Sequence, residues 1–161
     1  TLECCVDLLV KAECVTFFGV GASQLVAKDA YLKFIRLNKR CQVYEDQDAQ
    51  LVMAKNMKRG DLAVVVSYSG RTQAMVEAAE ILRENGVPII AVTSAADSPL
   101  RRRSVHNLCV SATEADIAGS KLSSRIAQLN MIDILFTAYF NRSYDLSIRH
   151  FEKTQISKQD L

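Results

Sequence analysis

Apolar and polar positions alternate along the chain in a pattern that predicts strands and helices in turn. Short apolar runs rich in Val, Ile and Phe predict five strands, at residues 14–18, 41–44, 62–66, 87–92 and 107–110. Apolar residues at helical spacing predict helices at residues 2–12, 22–37, 47–57, 72–85 and 122–140, one helical turn at 98–103 and a weaker helix from Tyr144. The chain is therefore predicted to have an α/β fold.

The predicted strands are almost wholly apolar, which favours a parallel sheet with helices on both faces. Right-handed crossovers then give a three-layer α/β/α sandwich of five strands. We take the flavodoxin-like strand order 2-1-3-4-5 as the expected topology. In that order the winding reverses between strands 1 and 3, and ligands bind outside the carboxyl ends of the strands at such a point.

Size and composition narrow the class of protein. With 161 residues, 49% of them hydrophobic, the chain has room for a single domain, residues 1–161. Its net charge of +2 and its short, separated basic clusters argue against a broad nucleic-acid surface. Five cysteines without a C-x-x-C pair are typical of a reducing compartment, and no signal sequence or membrane span is recognisable. We therefore expect a soluble, cytoplasmic domain with no membrane partner.

Two loops rich in glycine and hydroxyl side chains follow predicted strands 1 and 3. Each opens a helix, whose N-terminus presents unpaired N–H groups that suit an anion. The ligand-binding candidates in these loops are Gly21, Ser23, Ser67, Ser69, Gly70, Arg71 and Thr72. We expect the N–H groups of Gly70, Arg71 and Thr72 to bind a phosphate. The hydroxyls of Ser67, Ser69 and Thr72 would donate hydrogen bonds to its remaining oxygens.

Other interpretations of the loops stay open. The second loop could be an ordinary helix N-cap at Ser69 or Gly70. The dinucleotide pattern G-x-G-x-x-G needs a glycine where this chain has Gln24, and no Walker P-loop sequence occurs. A nucleotide-binding fold is still an alternative, because Glu45 and Asp46 end predicted strand 2, where a ribose-binding acid would lie.

Taken together, the two loops resemble a known family. The loop after predicted strand 1 has the sequence G-x-G-x-S at residues 19–23, and the loop after predicted strand 3 has S-x-S-G-x-T at residues 67–72. Each motif lies between a strand and a helix. This order of elements and motifs resembles the sugar isomerase (SIS) domain, which binds phosphosugars. The sequence SSRIAQLNMIDILF at residues 123–136 further resembles the effector-binding domain of RpiR-type bacterial transcription regulators.

The resemblance implies a role for each loop. Ser67, Ser69 and Thr72 would hold the phosphate of a sugar phosphate effector. Ser23 and the helix start at Ser123 and Ser124 would close on the sugar. It also implies an N-terminal helix-turn-helix domain before Thr1, through which alone the full-length protein would contact DNA.

A phosphosugar aldose–ketose isomerase is the alternative function, and it needs a positioned base to move a proton between adjacent carbons. His106 and His150 are each expected at the surface, which leaves Glu114 and Asp116 as weak candidates for the base. Because no base stands out, we expect a sensor that binds without turnover. We predict neither a metal site nor an organic cofactor.

The last long helix also suggests a partner. Residues 126–140 are apolar nearly all round, which a helix on the solvated face of a monomer does not tolerate. Burial within one subunit is one explanation. We expect instead at least a homodimer, in which ligand binding would bias the spacing of attached DNA-binding domains.

Overall fold

The computed structural model describes residues 1–111 and 122–156. The strands are β1 (Val15–Gly19), β2 (Cys41–Val43), β3 (Leu62–Val66), β4 (Ile89–Ser94) and β5 (His106–Val110). The helices are α1 (Leu2–Lys11), α2 (Ala22–Ile35), α3 (Gln47–Asn56), α4 (Gln73–Glu84), α5 (Pro99–Arg103), α6 (Leu122–Arg142) and α7 (Tyr144–Lys153). All pairings between the strands are parallel, in the order β2-β1-β3-β4-β5. The predicted α/β fold and strand order are confirmed.

Helices cover both faces of the sheet, and each face has its own apolar core. One core contains buried residues of α1, α2 and α6 against Phe17 of β1, and the other contains residues of α3, α4 and α5 against Phe18. These two neighbouring phenylalanines point to opposite faces and are both fully buried. The central strands β1, β3 and β4 are mostly apolar because helices cover both of their faces, whereas the edge strands β2 and β5 are only partly buried.

Aromatic contacts fix α2 and α6 against the sheet. The ring centroid of Phe34, on α2, lies 5.7 Å from that of Phe17, 5.6 Å from that of Phe136 and 5.3 Å from that of Tyr139. Truncating a buried phenylalanine of this kind to alanine typically costs about 3–5 kcal/mol of stability. The cluster matters for the site because both helices begin at the carboxyl edge of the sheet.

Strand boundaries differ from the predicted ones by one or two residues, for local reasons. The predicted strand at 87–92 is β4 at Ile89–Ser94, because the Val87 N–H bonds the Leu82 carbonyl and Pro88 has no N–H to donate. Strand β1 extends to Gly19, which pairs with Val66 of β3. The sheet therefore reaches the first residue of the glycine loop.

Helix α6 spans 21 residues and is buried along one side. Ile132 and Leu135 are fully buried, whereas Ile126 is 69% exposed and Ile134 42% exposed. The sheet and α2 therefore do not cover all of its apolar surface. Among the helices of the described residues, none combines the length and the apolarity needed to cross a bilayer.

Candidate functional site

The sheet order brings the two polar loops to the same edge. Gly19, the last residue of β1, pairs with Val66, the last residue of β3. Both strands run in the same direction, so residues 20–21 and 67–72 leave neighbouring strands side by side before α2 and α4 begin. A single ligand at this edge can reach both loops.

The loop after β3 places its hydroxyl groups together. The Oγ of Ser67 lies 3.2 Å from Oγ1 of Thr72, within hydrogen-bond distance. Ser67 is only 2% exposed, and Ser69 and Thr72 are half-buried. The Arg71 N–H donates to Oγ of Ser69 at 3.2 Å, and the Gly70 N–H donates to the carbonyl of Ser67 at 3.1 Å. The loop is thus a tight turn with two hydroxyls facing each other.

These internal bonds change which N–H groups could meet an anion. Those of Gly70 and Arg71, which the sequence suggested, already have acceptors within the turn. Thr72 is the N-cap of α4, but its side chain makes no capping bond. Within residues 1–111 and 122–156, the N–H groups of Thr72, Gln73 and Ala74 have no hydrogen-bond partner. The open donors therefore include the expected N–H of Thr72 and extend to Gln73 and Ala74 at the start of α4.

Contacts with the segment after β4 hold this turn in place. Gly70 has a φ of +62°, and an added Cβ would lie 2.2 Å from Oγ of Ser98, a fully buried residue. The Gly70 carbonyl accepts from the Leu100 N–H at 3.2 Å. The Arg71 guanidinium donates to the Asp97 carbonyl at 2.9 Å. Only glycine fits at position 70, because the turn packs directly on the start of α5.

The loop after β1 is built differently. Gly21 is the N-cap of α2 and is exposed, and α2 begins without a side-chain cap. The Oγ of Ser23 lies 3.4 Å from Oε1 and 3.3 Å from Nε2 of Gln128. Because Gln128 belongs to α6, this contact joins the first turn of α2 to that helix.

The start of α6 contributes polar groups to the same region. Ser124 is 6% exposed and Gln128 is 1% exposed. They lie one turn apart and so share a face of the helix. Ser123, half-buried, precedes them. The sequence indicated the two serines but not Gln128. The signal that could have identified Gln128 is its position, one turn after Ser124 on the same face of the helix.

The residues behind the nucleotide-binding alternative have local roles. Glu45 forms an exposed ion pair with Lys28, and the Lys28 ammonium lowers the pKa of the Glu45 carboxyl. The Asp46 carboxylate caps α3 by accepting from the Ala49 N–H at 2.9 Å. Both acids are thus engaged by nearby groups in a way that does not require a ribose.

Neither histidine lies at this edge. His106 is the first residue of β5, at the opposite edge of the sheet. His150 lies on α7, next to Phe151, whose ring packs under the Arg36 guanidinium beyond the end of α2. Since α2 runs away from the carboxyl edge, this histidine is also remote. Glu114 and Asp116 lie outside the described residues.

Comparisons with known proteins agree with the geometry. The SIS domain model matches residues 8–138. The uncharacterized HTH-type transcriptional regulator TTE0211 of Caldanaerobacter subterraneus subsp. tengcongensis is 43% identical over 148 residues, 92% of this chain and 52% of that protein. The HTH-type transcriptional regulator RpiR of Escherichia coli K12 is 31% identical over 137 residues, 85% of this chain and 46% of that protein.

Among solved structures, the Vibrio vulnificus NanR protein complexed with ManNAc-6P has a TM-score of 0.88 and 26% identity, covering 95% of this chain and 58% of that one. The chain spans about half the length of the regulators that it matches. The resemblance to the SIS domain and to RpiR-type regulators is confirmed. Since the family model covers most of the sequence, the chain belongs to the SIS domain family.

Proposed function

We propose that this chain is a sensor domain that binds a sugar phosphate and controls DNA binding by a helix-turn-helix domain of the same regulator. The observation that carries the proposal is the open start of α4 beside the paired hydroxyls of Ser67 and Thr72. An N-terminus with unpaired N–H groups binds phosphate through the helix dipole and direct hydrogen bonds. The NanR protein, solved in complex with ManNAc-6P, supports a ligand of this class.

In the proposed complex, the phosphate lies at the start of α4 and the sugar extends towards α2 and α6. Thr72, Gln73 and Ala74 donate N–H groups to the phosphate, and Ser67, Ser69 and Thr72 donate hydroxyls. Ser23 and Gln128 are near enough to each other to share one sugar hydroxyl. Ser124 lies on the same side of α6 and completes the sugar side of the site.

We expect binding without turnover. Relatives that are 31–43% identical to this chain are named transcriptional regulators. Of the residues that the structure describes, the two histidines lie away from the carboxyl edge. Incubation with aldose and ketose phosphates in deuterated water tests this: deuterium at a carbon position would mean proton transfer, and the isomerase function would replace the sensor.

A thermal-shift panel tests the ligand. The panel contains ManNAc-6P, glucosamine 6-phosphate, glucose 6-phosphate, fructose 6-phosphate, ribose 5-phosphate, inorganic phosphate and NAD. A sugar phosphate at 100 times its Kd is expected to stabilise the chain by about 2.7 kcal/mol. Stabilisation by NAD alone would reject the proposal in favour of nucleotide binding.

We further propose that the chain forms a homodimer through α2 and α6, with higher homo-oligomers built on the same surface. Leu25 and Leu32 on α2 are 54% and 52% exposed, and Ile126 on α6 is 69% exposed. The helices lie side by side, joined by the ion pair between Lys33 and Asp133. Exposed apolar side chains on two neighbouring helices favour association.

Leu32→Glu is expected to convert a dimer to a monomer in light-scattering chromatography, because it puts a charge in the proposed interface. Val52→Glu is the matched control, since Val52 is a similarly exposed apolar residue, at 57%, on α3 on the other face of the sheet. A monomeric parent chain, or equal effects of the two substitutions, would reject this surface.

Ligand binding near α2 and α6 would then bias the dimer, and with it the attached DNA-binding domains in the cytoplasm. The test is the operator affinity of a full-length regulator with and without its sugar phosphate. Equal affinities would reject the coupling while leaving the binding site itself intact.

A further inference from the structure

Gln50, on α3, is bonded to the end of β1 from inside the protein. Its side chain is 1% exposed. Its Oε1 accepts from the Gly19 N–H at 3.1 Å, and its Nε2 donates to the Gly19 carbonyl at 2.9 Å. A single side-chain amide therefore satisfies both backbone groups of the residue that opens the first loop.

This amide takes the place of a missing strand residue. Strand β2 pairs with β1 only as far as Val43, opposite Phe17. Alternate residues of β1 present their backbone groups to β2, as the bond from the Val15 N–H to the Arg40 carbonyl shows. Gly19 is two residues beyond Phe17 and faces the same side, where β2 has ended. Without Gln50, its N–H and carbonyl would be buried without partners, which folded proteins rarely tolerate.

The network continues into the first turn of α2. Nε2 of Gln50 also lies 3.3 Å from Oε1 of Gln24, and Nε2 of Gln24 donates to the Tyr44 carbonyl at 2.9 Å. Two glutamine side chains thus join α3, the end of β1, the start of α2 and the residue after β2. The oxygen and the nitrogen of each side-chain amide both have hydrogen-bond partners, so both amides are held in one orientation. These bonds fix the position of the first turn of α2.

Gly19 couples this network to Ser23. An added Cβ on Gly19 would lie 2.6 Å from the Ser23 carbonyl oxygen, so the loop folds back closely on the strand end. A displacement of Gly19 therefore moves Ser23 and its contact with Gln128. Within the described residues, the hydrogen bonds of the Gln50 side chain go to Gly19 and Gln24, so Gln50 acts on Ser23 through this backbone.

We propose that Gln50 is a positioning residue that sets the sugar-binding side of the site by fixing the loop at residues 19–23, while the phosphate side depends on other contacts. This inference rests on the proposed function, because it assigns the two loops to the two parts of one ligand. It predicts that loss of the amide weakens recognition of the sugar more than that of the phosphate.

The variants are Gln50→Glu, which replaces the donating NH₂ group with an oxygen, and Gln50→Met, which keeps the length without hydrogen bonds. Asn85→Asp is the control: the Asn85 amide donates to the carbonyls of Ala54 and Lys55 at the far end of α3, so the same chemical change is made away from the site. Binding of inorganic phosphate and of the tightest sugar phosphate of the panel is measured for each.

In both Gln50 variants, the ratio of sugar phosphate affinity to inorganic phosphate affinity is expected to fall by about tenfold, the effect of one lost hydrogen bond. Asn85→Asp should leave the ratio unchanged. A role limited to stability would lower both affinities alike, or neither. An unchanged ratio in the Gln50 variants overturns the inference.

Amide hydrogen exchange without ligand gives a second, independent outcome. Residues 19–24 are expected to lose protection in Gln50→Glu and Gln50→Met, whereas α4 and β4 keep theirs. Unchanged protection of residues 19–24 overturns the inference even if no sugar phosphate binds. If the parent chain binds none of the panel, the proposed function fails, and exchange alone decides the role of Gln50.

Discussion

The two loops at the carboxyl edge open helices from neighbouring strands, but they are held by different parts of the chain. The loop after β3 is fixed by the end of β4, the next strand along the chain: the Tyr68 carbonyl accepts from the Ser94 N–H at 2.9 Å and from the Thr93 hydroxyl at 3.1 Å. The loop after β1 is fixed by Gln50 of α3 and Gln128 of α6, and the latter is distant in sequence.

We infer from this difference that the two loops bind different parts of one ligand. In the proposed complex, the second loop is the phosphate anchor, and its contacts with Thr93, Ser94 and the start of α5 hold its hydroxyls beside the open start of α4. The first loop depends on how α3 and α6 pack, so its position responds to those helices. In a sensor, a fixed phosphate anchor supplies affinity, and a loop attached to the proposed dimer helix α6 transmits occupancy.

The largest effect is expected from Gly70→Ala, which disrupts the packing of the loop after β3. The added Cβ would overlap Oγ of Ser98, and the φ of +62° strains any other residue. Overpacking and left-handed strain together should lower the free energy of unfolding by about 2–5 kcal/mol. Urea denaturation measures the loss, and isothermal titration should detect no phosphosugar binding.

A second substitution separates the two causes. Ser98→Gly in the Gly70→Ala background removes the overlapping atoms but leaves the strain at residue 70. Partial recovery of stability is expected. No recovery would mean that contact with the start of α5 does not hold the turn, and the anchor would be no more rigid than the other loop.

An intermediate effect is expected from the hydroxyl groups. Thr72→Val keeps the shape and the backbone N–H but removes the hydroxyl that faces Ser67. A hydrogen bond to a charged group is worth about 1.5–3 kcal/mol, so phosphate and sugar phosphate affinity should both fall by roughly 10- to 100-fold. Ser23→Ala should weaken only the sugar phosphate.

Thr137→Val, an exposed change on α6, is the control and should bind as the parent does. If Ser23→Ala weakened inorganic phosphate as much as Thr72→Val, the two loops would not divide the ligand between them.

The smallest effect concerns the edge strand beside the first loop. Burial raises the pKa of the Cys41 thiol, on β2, to about 12, compared with its ordinary value of 9.0. Because the folded value exceeds the unfolded one, the stability that the neutral thiol provides is complete below about pH 9 and is lost as the pH rises towards 12. The Tm should fall over this range.

Cys41→Ala is expected to flatten that fall, because alanine has no proton to lose. Cys109→Ala, at an exposed position, should leave the slope as it is. If the Tm fell equally steeply with pH in the parent chain and in Cys41→Ala, ionisation of Cys41 would not be the cause of the loss of stability at alkaline pH.

Most of the fold was predictable because the strands alternate with helices and are apolar on both faces. The helix starts at Ala22 and Gln47 and all of β3 lie where the pattern predicts them. The predicted strand boundaries are wrong where a backbone hydrogen bond, rather than the hydrophobic periodicity, sets the first residue of the strand. The Val87 N–H bonds the Leu82 carbonyl, for example, and β4 begins at Ile89 rather than at residue 87.

The candidate site was predictable only in part. Serines and glycines that follow two strands are recognisable as an anion site in any such sheet. Gln50 and Gln128 are not recognisable, since a glutamine in a helix reads as a solvated residue until a neighbouring element buries it. Of the open N–H groups at the start of α4, that of Thr72 was a candidate from the sequence, whereas those of Gln73 and Ala74 became candidates only once the structure showed that the turn uses those of Gly70 and Arg71.

Periodicity and turn residues specify the order of the elements, the parallel sheet and the two loops at its carboxyl edge, because they act over short distances along the chain. The packing of the elements specifies which glutamines hold the first loop, which N–H groups stay open and which apolar residues of α2 and α6 remain uncovered. Those properties depend on contacts between residues far apart in sequence, and no local pattern specifies which of them will meet.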